Sequence, residues 1–371
     1  MSSARSSTPG ELRRILVFTT MALLVAACIQ PSGPQSLLRL RWPEPPDRTR
    51  IEHVQTIVSP RDLGPAPTSW ERVVDFLLGS RPRYRSIAHP ADVAVSSDGE
   101  VLYVSDFAQG IVHVLDLARG GARYFGERNR FARPFGLALD SEGRLYVVEQ
   151  GARQIRVVDE AGATLKIIRS DRLIRPTDIE IDDARNRLYV ADPSHQRSRE
   201  HFIRVFDLDG NYLGEVGEGR GTRPGQLLFP TYVTLDPEGN LYVSDTMNSR
   251  ISVFDPEGRF LRMLGSRGDG FGQFDKPKGI AFDSLGNLYV VDSSWSNVQI
   301  FGPQDDVLLF FGGRGGFPGL LRNPTGIAIA QHSNTIYVGD YLNRRVSVFQ
   351  LVNTEADDGL LEQSQNGGTP R

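Results

Sequence analysis

The amino-acid sequence predicts an all-β fold, a six-bladed β-propeller of four-stranded blades, and three observations carry that prediction. The first is a pair of short β-branched and aromatic runs joined by a polar turn, written most fully from Gly239 to Asp255 as Gly-Asn-Leu-Tyr-Val-Ser-Asp, Thr-Met-Asn-Ser-Arg and Ile-Ser-Val-Phe-Asp. The second is recurrence. The pair returns at Leu102–Asp116, Leu145–Asp159, Leu188–Asp207, Leu288–Phe301 and Ile336–Phe349, which makes six copies. The third is the interval: the acids ending the first run, Asp106, Glu149, Asp192, Asp245, Asp292 and Asp340, are 43, 43, 53, 47 and 48 residues apart, the period of one four-stranded blade.

The N-terminal segment has a different character. Arg5, Arg13 and Arg14 precede an apolar run from Ile15 to Ala27 that is too short to span a bilayer, the layout of a secretory signal. Removing residues 1–27 takes away three arginines and one glutamate and moves the formal charge from −3 to −5. Nothing in the charge of this mildly acidic remainder asks for a nucleic-acid backbone. Cys28 is the only cysteine, which excludes an intramolecular disulfide framework and a cysteine-based zinc site. Residues 28–50, rich in Pro, Ser and Arg and without sustained periodicity, read as a tether.

The body is expected over residues 51–350, with a disordered tail over 351–371. Five copies of the repeat continue into a fourth apolar strand, at Ala122–Phe125, Thr164–Ile168, Tyr212–Val216, Phe260–Leu264 and Val307–Phe311. The sixth runs instead into Asn353, Thr354, Glu355, Asp357 and Asp358, so its outer strand is expected to come from Ile51 to Val58, closing the ring. Ser69 suits the N-cap of a short helix over about 69–79, because Trp70, Val73, Val74, Leu77 and Leu78 form one apolar stripe. Each repeat opens with a proline, at 90, 134, 176, 230, 277 and 324, a residue tolerated where a strand begins and not in its middle.

These motifs support two resemblances. Pro-x-Gly-Ile-Ala-x-Asp, Gly-x-Leu-Tyr-Val-x-Asp and Asn-x-Arg-Ile-x-Val-Phe resemble the NHL repeat of six-bladed propellers over about Ile87 to Phe349. Only Asn248-x-Arg250 and Asn343-x-Arg345 keep the last motif's Asn-x-Arg pair. Val25-Ala-Ala-Cys28 resembles a bacterial lipobox, which implies lipidation of Cys28, and Ile29 in place of a retention aspartate leans toward the outer membrane, facing the periplasm. Lipobox, helix and propeller together are similar to bacterial NHL-repeat lipoproteins. Animal NHL proteins that bind RNA or accompany ubiquitin ligases imply partners that this chain does not suit: a single cysteine excludes a RING finger, and export removes cytoplasmic RNA.

The chemistry legible in the chain is sparse. Links such as Gly217-Glu-Gly219-Arg-Gly221 and Gly312-Gly-Arg-Gly-Gly316 precede strands rather than helices, so they read as turns and not as phosphate loops. Arg267-Gly268-Asp269 lies in another such link. Asp92, Asp178 and Glu180 break the small and apolar pattern of the innermost strands and are the candidate ligands of a channel metal, calcium being the cation such hard oxygens take. The third repeat carries an insertion, Pro193 to Phe202, in which His195 and His201 would need a third ligand to hold zinc. Neither a metalloprotease histidine spacing nor a Gly-x-Ser-x-Gly elbow occurs.

The remaining candidates lie on the face made by the second-to-third-strand turns and the links between blades. Phe107, Phe135, Arg153, His195, Tyr232, Met247, Lys278, Trp295 and Tyr341 are expected there, with Trp295 and Tyr341 foremost. Aromatic surface mixed with a few cations suits a binding module for an envelope protein, peptide or glycan. The alternative is a metal-dependent hydrolase or lyase, because lactonases and amidating lyases of this shape use a channel metal. If Cys28 is the anchor, Cys28→Ser moves the chain from the membrane pellet to the soluble fraction and abolishes labelled palmitate incorporation; a variant still membrane-bound and labelled would refute the anchor.

Overall fold

The structure, a computed structural model, describes residues 40–44, 46–64, 84–195 and 197–353. The signal segment 1–27, Cys28, the helix expected over 69–79 and residues 354–371 lie outside the described residues. Helical turns within them are limited to single 3-10 turns at Pro60–Asp62 and Thr246–Asn248. Six antiparallel sheets of four or more strands form the body, and the inner strands Pro90–Val95, Pro134–Leu139, Asp178–Asp182, Pro230–Leu235, Pro277–Phe282 and Pro324–Ala330 neighbour one another in a closed circuit. The blades are numbered 1 to 6 in that order.

Blades 1 to 5 are four-stranded in simple up-and-down order. In blade 6, Ile51–Ile57 pairs antiparallel with Arg345–Leu351, Ile51 opposite Leu351 and Ile57 opposite Val346. A fifth strand, Arg41–Trp42, pairs with Glu52 and Ile51. This corrects the reading of 28–50 as a tether throughout: the Trp42 ring lies 6.0 Å from Phe311 and 5.8 Å from Phe349, and that apolar contact outweighs the disorder expected from composition.

The core is distributed. Six apolar clusters each mix side chains of two adjacent blades, such as Tyr146 and Ile155 with Leu188 and Phe206 between blades 2 and 3, or Ile57 and Val346 with Val93 and Leu102 between blades 6 and 1. Strand alternation sends Leu and Val of each Leu-Tyr-Val run to one side of the blade and Tyr to the other, so both faces of every blade are buried.

The acid ending each second strand is buried, and it does the same task six times. Asp106, Glu149, Asp192, Asp245, Asp292 and Asp340 accept the backbone N–H two residues ahead of the blade's opening proline, from Ala88, Ala132, Ile174, Leu228, Asp275 and Arg322, at 2.6–3.1 Å. Asp106, Asp192 and Asp292 also take backbone amides of the following turn, as Asp292 does from Ser294 and Trp295, and Asp245 and Asp340 take the side-chain amides of Asn248 and Asn343. Three chain segments are thereby fixed by one carboxylate.

The missing Asn-x-Arg pairs are compensated two residues further along the third strand. In blades 4 and 6, Arg250 and Arg345 bond Asp245 and Asp340 and reach link carbonyls, those of Thr222, Arg223 and Gln226 for Arg250. The position opposite Val243 and Val338 then holds only Ser252 and Ser347, whose hydroxyls have no partner. Where the arginine is absent, that position carries a larger polar group: His113 on Asp106, Arg156 on Glu149, Arg204 in blade 3, and Gln299, which bonds Gly272 N–H and the Gln273 carbonyl. Arg250→Ala would leave the Asp245 carboxylate buried without its cation and cost about 3–5 kcal/mol in urea unfolding. Arg259→Ala, removing an exposed partner of Asp255, should change stability by under ~1 kcal/mol. Equal losses would show that the buried pair has no special weight.

Candidate functional site

The inner strands face the channel with every second residue. The upper ring is Asp92, Gly136, Asp178, Tyr232, Gly279 and Gly326, and the lower ring is Ala94, Ala138, Glu180, Thr234, Ala281 and Ala328. Glycine is required where a neighbour's carboxyl occupies the space: a Cβ at Gly326 would lie 1.9 Å from Asp92 Oδ1, and one at Gly136 2.5 Å from Asp178 Oδ1. Register slips between Pro134 and Leu137 and between Pro230 and Val233 interrupt the ladder there. Asp92 Oδ2 accepts Leu137 N–H at 2.9 Å, and Asp178 Oδ2 accepts Val233 N–H at 2.9 Å. Each acid therefore stitches its blade to the next.

Tyr232 spans the channel. Its hydroxyl, carried by blade 4, donates to the Ala91 carbonyl of blade 1, the opposite blade of a six-membered ring, at 2.8 Å. This corrects the placement of Tyr232 on the binding face: it is buried at 4% exposure, because the three glycines of the upper ring leave room for its ring. A cavity of about 250 Å³ is lined by the lower ring and by Asp92, Asp178 and Tyr232 of the upper one, so Asp92, Asp178 and Glu180 do converge on one space. Burial pushes Asp92 and Glu180 up to about 7; burial and then the charge of Asp92 raise Asp178 well above the ordinary range. Among the described residues, no three His, Cys, Asp or Glu are grouped so as to hold a metal ion. Two of the three carboxylates already spend an oxygen on a neighbouring blade's amide, so the set does not fit the six to eight oxygens calcium takes.

Folded-state pKa values above the unfolded carboxylate value make the folded chain hold extra protons between about pH 4 and 7, so this cluster's contribution to stability falls as pH rises through that window. Asp92→Asn keeps an acceptor for Leu137 and removes one ionisation. Its melting temperature should exceed that of the parent at pH 8 and match it at pH 4; parallel profiles would show that Asp92 ionises without penalty.

The face residues separate into several groups. Phe107 and Phe135 are half-buried against each other, centroids 5.5 Å apart across blades 1 and 2, with Arg133 over Phe107. Tyr341 is half-buried beside His89, at 4.9 Å. Lys278 Nζ donates to Asn323 Oδ1, and burial, then Lys276, lowers it to about 8. Arg153 and Met247 are exposed. His195 is exposed, while His201 is buried and held below its ordinary range by burial. His201 Nδ1 accepts Phe229 N–H at 3.0 Å and Nε2 lies 3.4 Å from the His195 carbonyl, so both ring nitrogens are engaged and the zinc pairing fails.

Trp295 sits elsewhere on this face, in a cleft of about 360 Å³ with Phe271, Phe310, Asp269, Gln273 and Asn297. Its indole N–H donates to the Gly268 carbonyl at 3.0 Å, which fixes the ring while leaving it 42% exposed. Phe271 is 74% exposed and lies 5.4 Å from Phe310, and Asn297 Oδ1 is buried without a partner. Neither phenylalanine was legible as a site residue from periodicity. One signal existed: Phe271 stands where the other two long links have Pro224 and Pro318.

Comparison with known proteins gives the architecture. A family model described as "6-bladed beta-propeller" matches residues 232–305. Peptidyl-glycine alpha-amidating monooxygenase A of Xenopus laevis is 30% identical over 151 residues, 37% of this chain, and the match spans only 16% of that protein's length. A Bacteroides thetaiotaomicron protein of unknown function superposes with a TM-score of 0.58 at 15% identity, covering 72% of this chain and 70% of that one. A gluconolactonase of Xanthomonas campestris superposes at 0.55 with 20% identity, covering 71% and 87%. At such identities the likeness is one of fold, and with six sheets in a closed circuit it makes this chain a six-bladed β-propeller.

Proposed function

We propose that this chain is a binding module of the bacterial envelope, an NHL-type propeller anchored through a lipid on Cys28, that holds a protein, peptide or glycan on its turn-and-link face. Closure of the ring by Ile51–Ile57 belongs to the same reading, as does an outer-membrane position facing the periplasm. The observation that carries it is the Trp295 cleft: aromatic side chains left exposed on a rigid scaffold supply large contact area at little entropic cost. Neutral amides beside them, with one unpartnered oxygen on Asn297, supply orientation. The channel supports the same reading, since Tyr232 bars it and two of its acids are engaged in blade-to-blade bonds.

A second reading, a metal-dependent hydrolase or lyase, draws on the fold shared with a gluconolactonase; against it, Asp92, Asp178 and Glu180 line one cavity without forming a metal-holding group among the described residues. The binding reading is tested on arrays of envelope glycans and peptides with the parent chain and the Trp295→Ala/Phe271→Ala variant. Ligands held by the parent should bind at least ~10-fold more weakly to the variant, as loss of aromatic anchors entails. Undiminished binding by the variant would remove the cleft from the function.

A further inference from the structure

The blade 3 insertion builds a second recess on the same face, chemically unlike the first. Arg175, from the link ahead of blade 3, and Arg220, from the link ahead of blade 4, line a cavity of about 280 Å³ together with His201, Leu228, Phe229 and Met247. The insertion is tied to the wall: Arg220 N–H donates to the Arg199 carbonyl at 3.0 Å, and His201 takes the amide of Phe229. Phe229 is thereby held at φ 64, a left-handed conformation that an aromatic residue rarely adopts, and its ring turns one face to Arg175 at 5.1 Å.

Charge gives the recess its character. Neither Arg175 nor Arg220 forms a salt bridge among the described residues, unlike the buried Arg156, Arg204, Arg250 and Arg345 of the third strands. No carboxylate lines the cavity, and His201, buried and acting as acceptor through Nδ1, adds no positive charge. Two exposed guanidinium groups without an acidic partner among the described residues therefore share one opening with an apolar wall of Leu228, Phe229 and Met247. An anion placed between them makes charge-assisted bonds to both guanidinium groups.

We infer that this recess binds a carboxylate joined to an apolar group, the carboxylate between Arg175 and Arg220 and the apolar body against Phe229, Leu228 and Met247. The volume suits one side chain with its acid. A peptide ending in an apolar residue and a free small acid offer the same chemistry. The inference does not rest on the Trp295 cleft.

The test uses the detergent-solubilised full-length chain titrated with N-acetylphenylalanine, its neutral amide, a hexapeptide ending in phenylalanine, and inorganic phosphate. The acid should bind at least ~10-fold more tightly than the amide, and Arg175→Gln/Arg220→Gln should erase that preference while leaving the melting temperature and the amide's affinity unchanged. Trp295→Ala should retain it, which separates this site from the cleft. A hexapeptide tighter than the free acid assigns a chain terminus; equal affinity assigns a small acid. Acid and amide binding alike, acid binding undiminished in the double variant, no binding of either, or phosphate competing as well as the acid would each overturn the assignment.

Discussion

The structure depends on a carboxylate buried at the end of the second strand of every blade. A propeller has no central core to pull its blades into place, so each needs a local device that fixes the incoming link, the inner strand and the following turn together. An acid that accepts the amide two residues ahead of the blade's opening proline does this with one side chain, because a carboxylate accepts several amides at once. Its environment differs between blades. Burial pushes Asp106 up, yet the His113 ring and the amides of Ala88 and Gln109 outweigh it and hold the acid near about 2, whereas burial prevails at Asp245 and raises it to about 6.

That device explains why an irregular repeat builds a regular ring. The arginine of the Asn-x-Arg pair and the polar residue two positions on are alternatives that fill one buried space between the acid and the link. Blades 4 and 6 use the first and place a serine at the second; blades 1, 2 and 5 use His113, Arg156 and Gln299. Blade 3 departs from both, since Arg204 turns to Glu200 and Glu215, while its insertion is tied to the link ahead of blade 4. The recess between blades 3 and 4 lies where that insertion meets this link.

The channel follows a related logic. Asp92 and Asp178 satisfy amides freed by irregular pairing in the next blade, glycines make room for them, and Tyr232 crosses to the far side. Burying several carboxyls in so small a space without cations costs ionisation, and the raised pKa values are that cost expressed as proton binding. Rigidity at the axis leaves the variable turns and links free to carry recognition.

By itself the sequence determined the all-β class, the blade count and the strand-end acids, because each is a local pattern: alternation sets strand faces, and a recurring interval counts blades. It also placed Asp92, Asp178 and Glu180 on inner strands, where they meet. Only the tertiary structure decided that Tyr232 reaches across the axis, that Trp42 is drawn onto Phe311 and Phe349, and that Phe271 and Phe310 complete the Trp295 cleft. These depend on residues far apart in the chain whose proximity is set by the closing of the ring, and no short-range periodicity records how a link of one blade lies against the turn of the next.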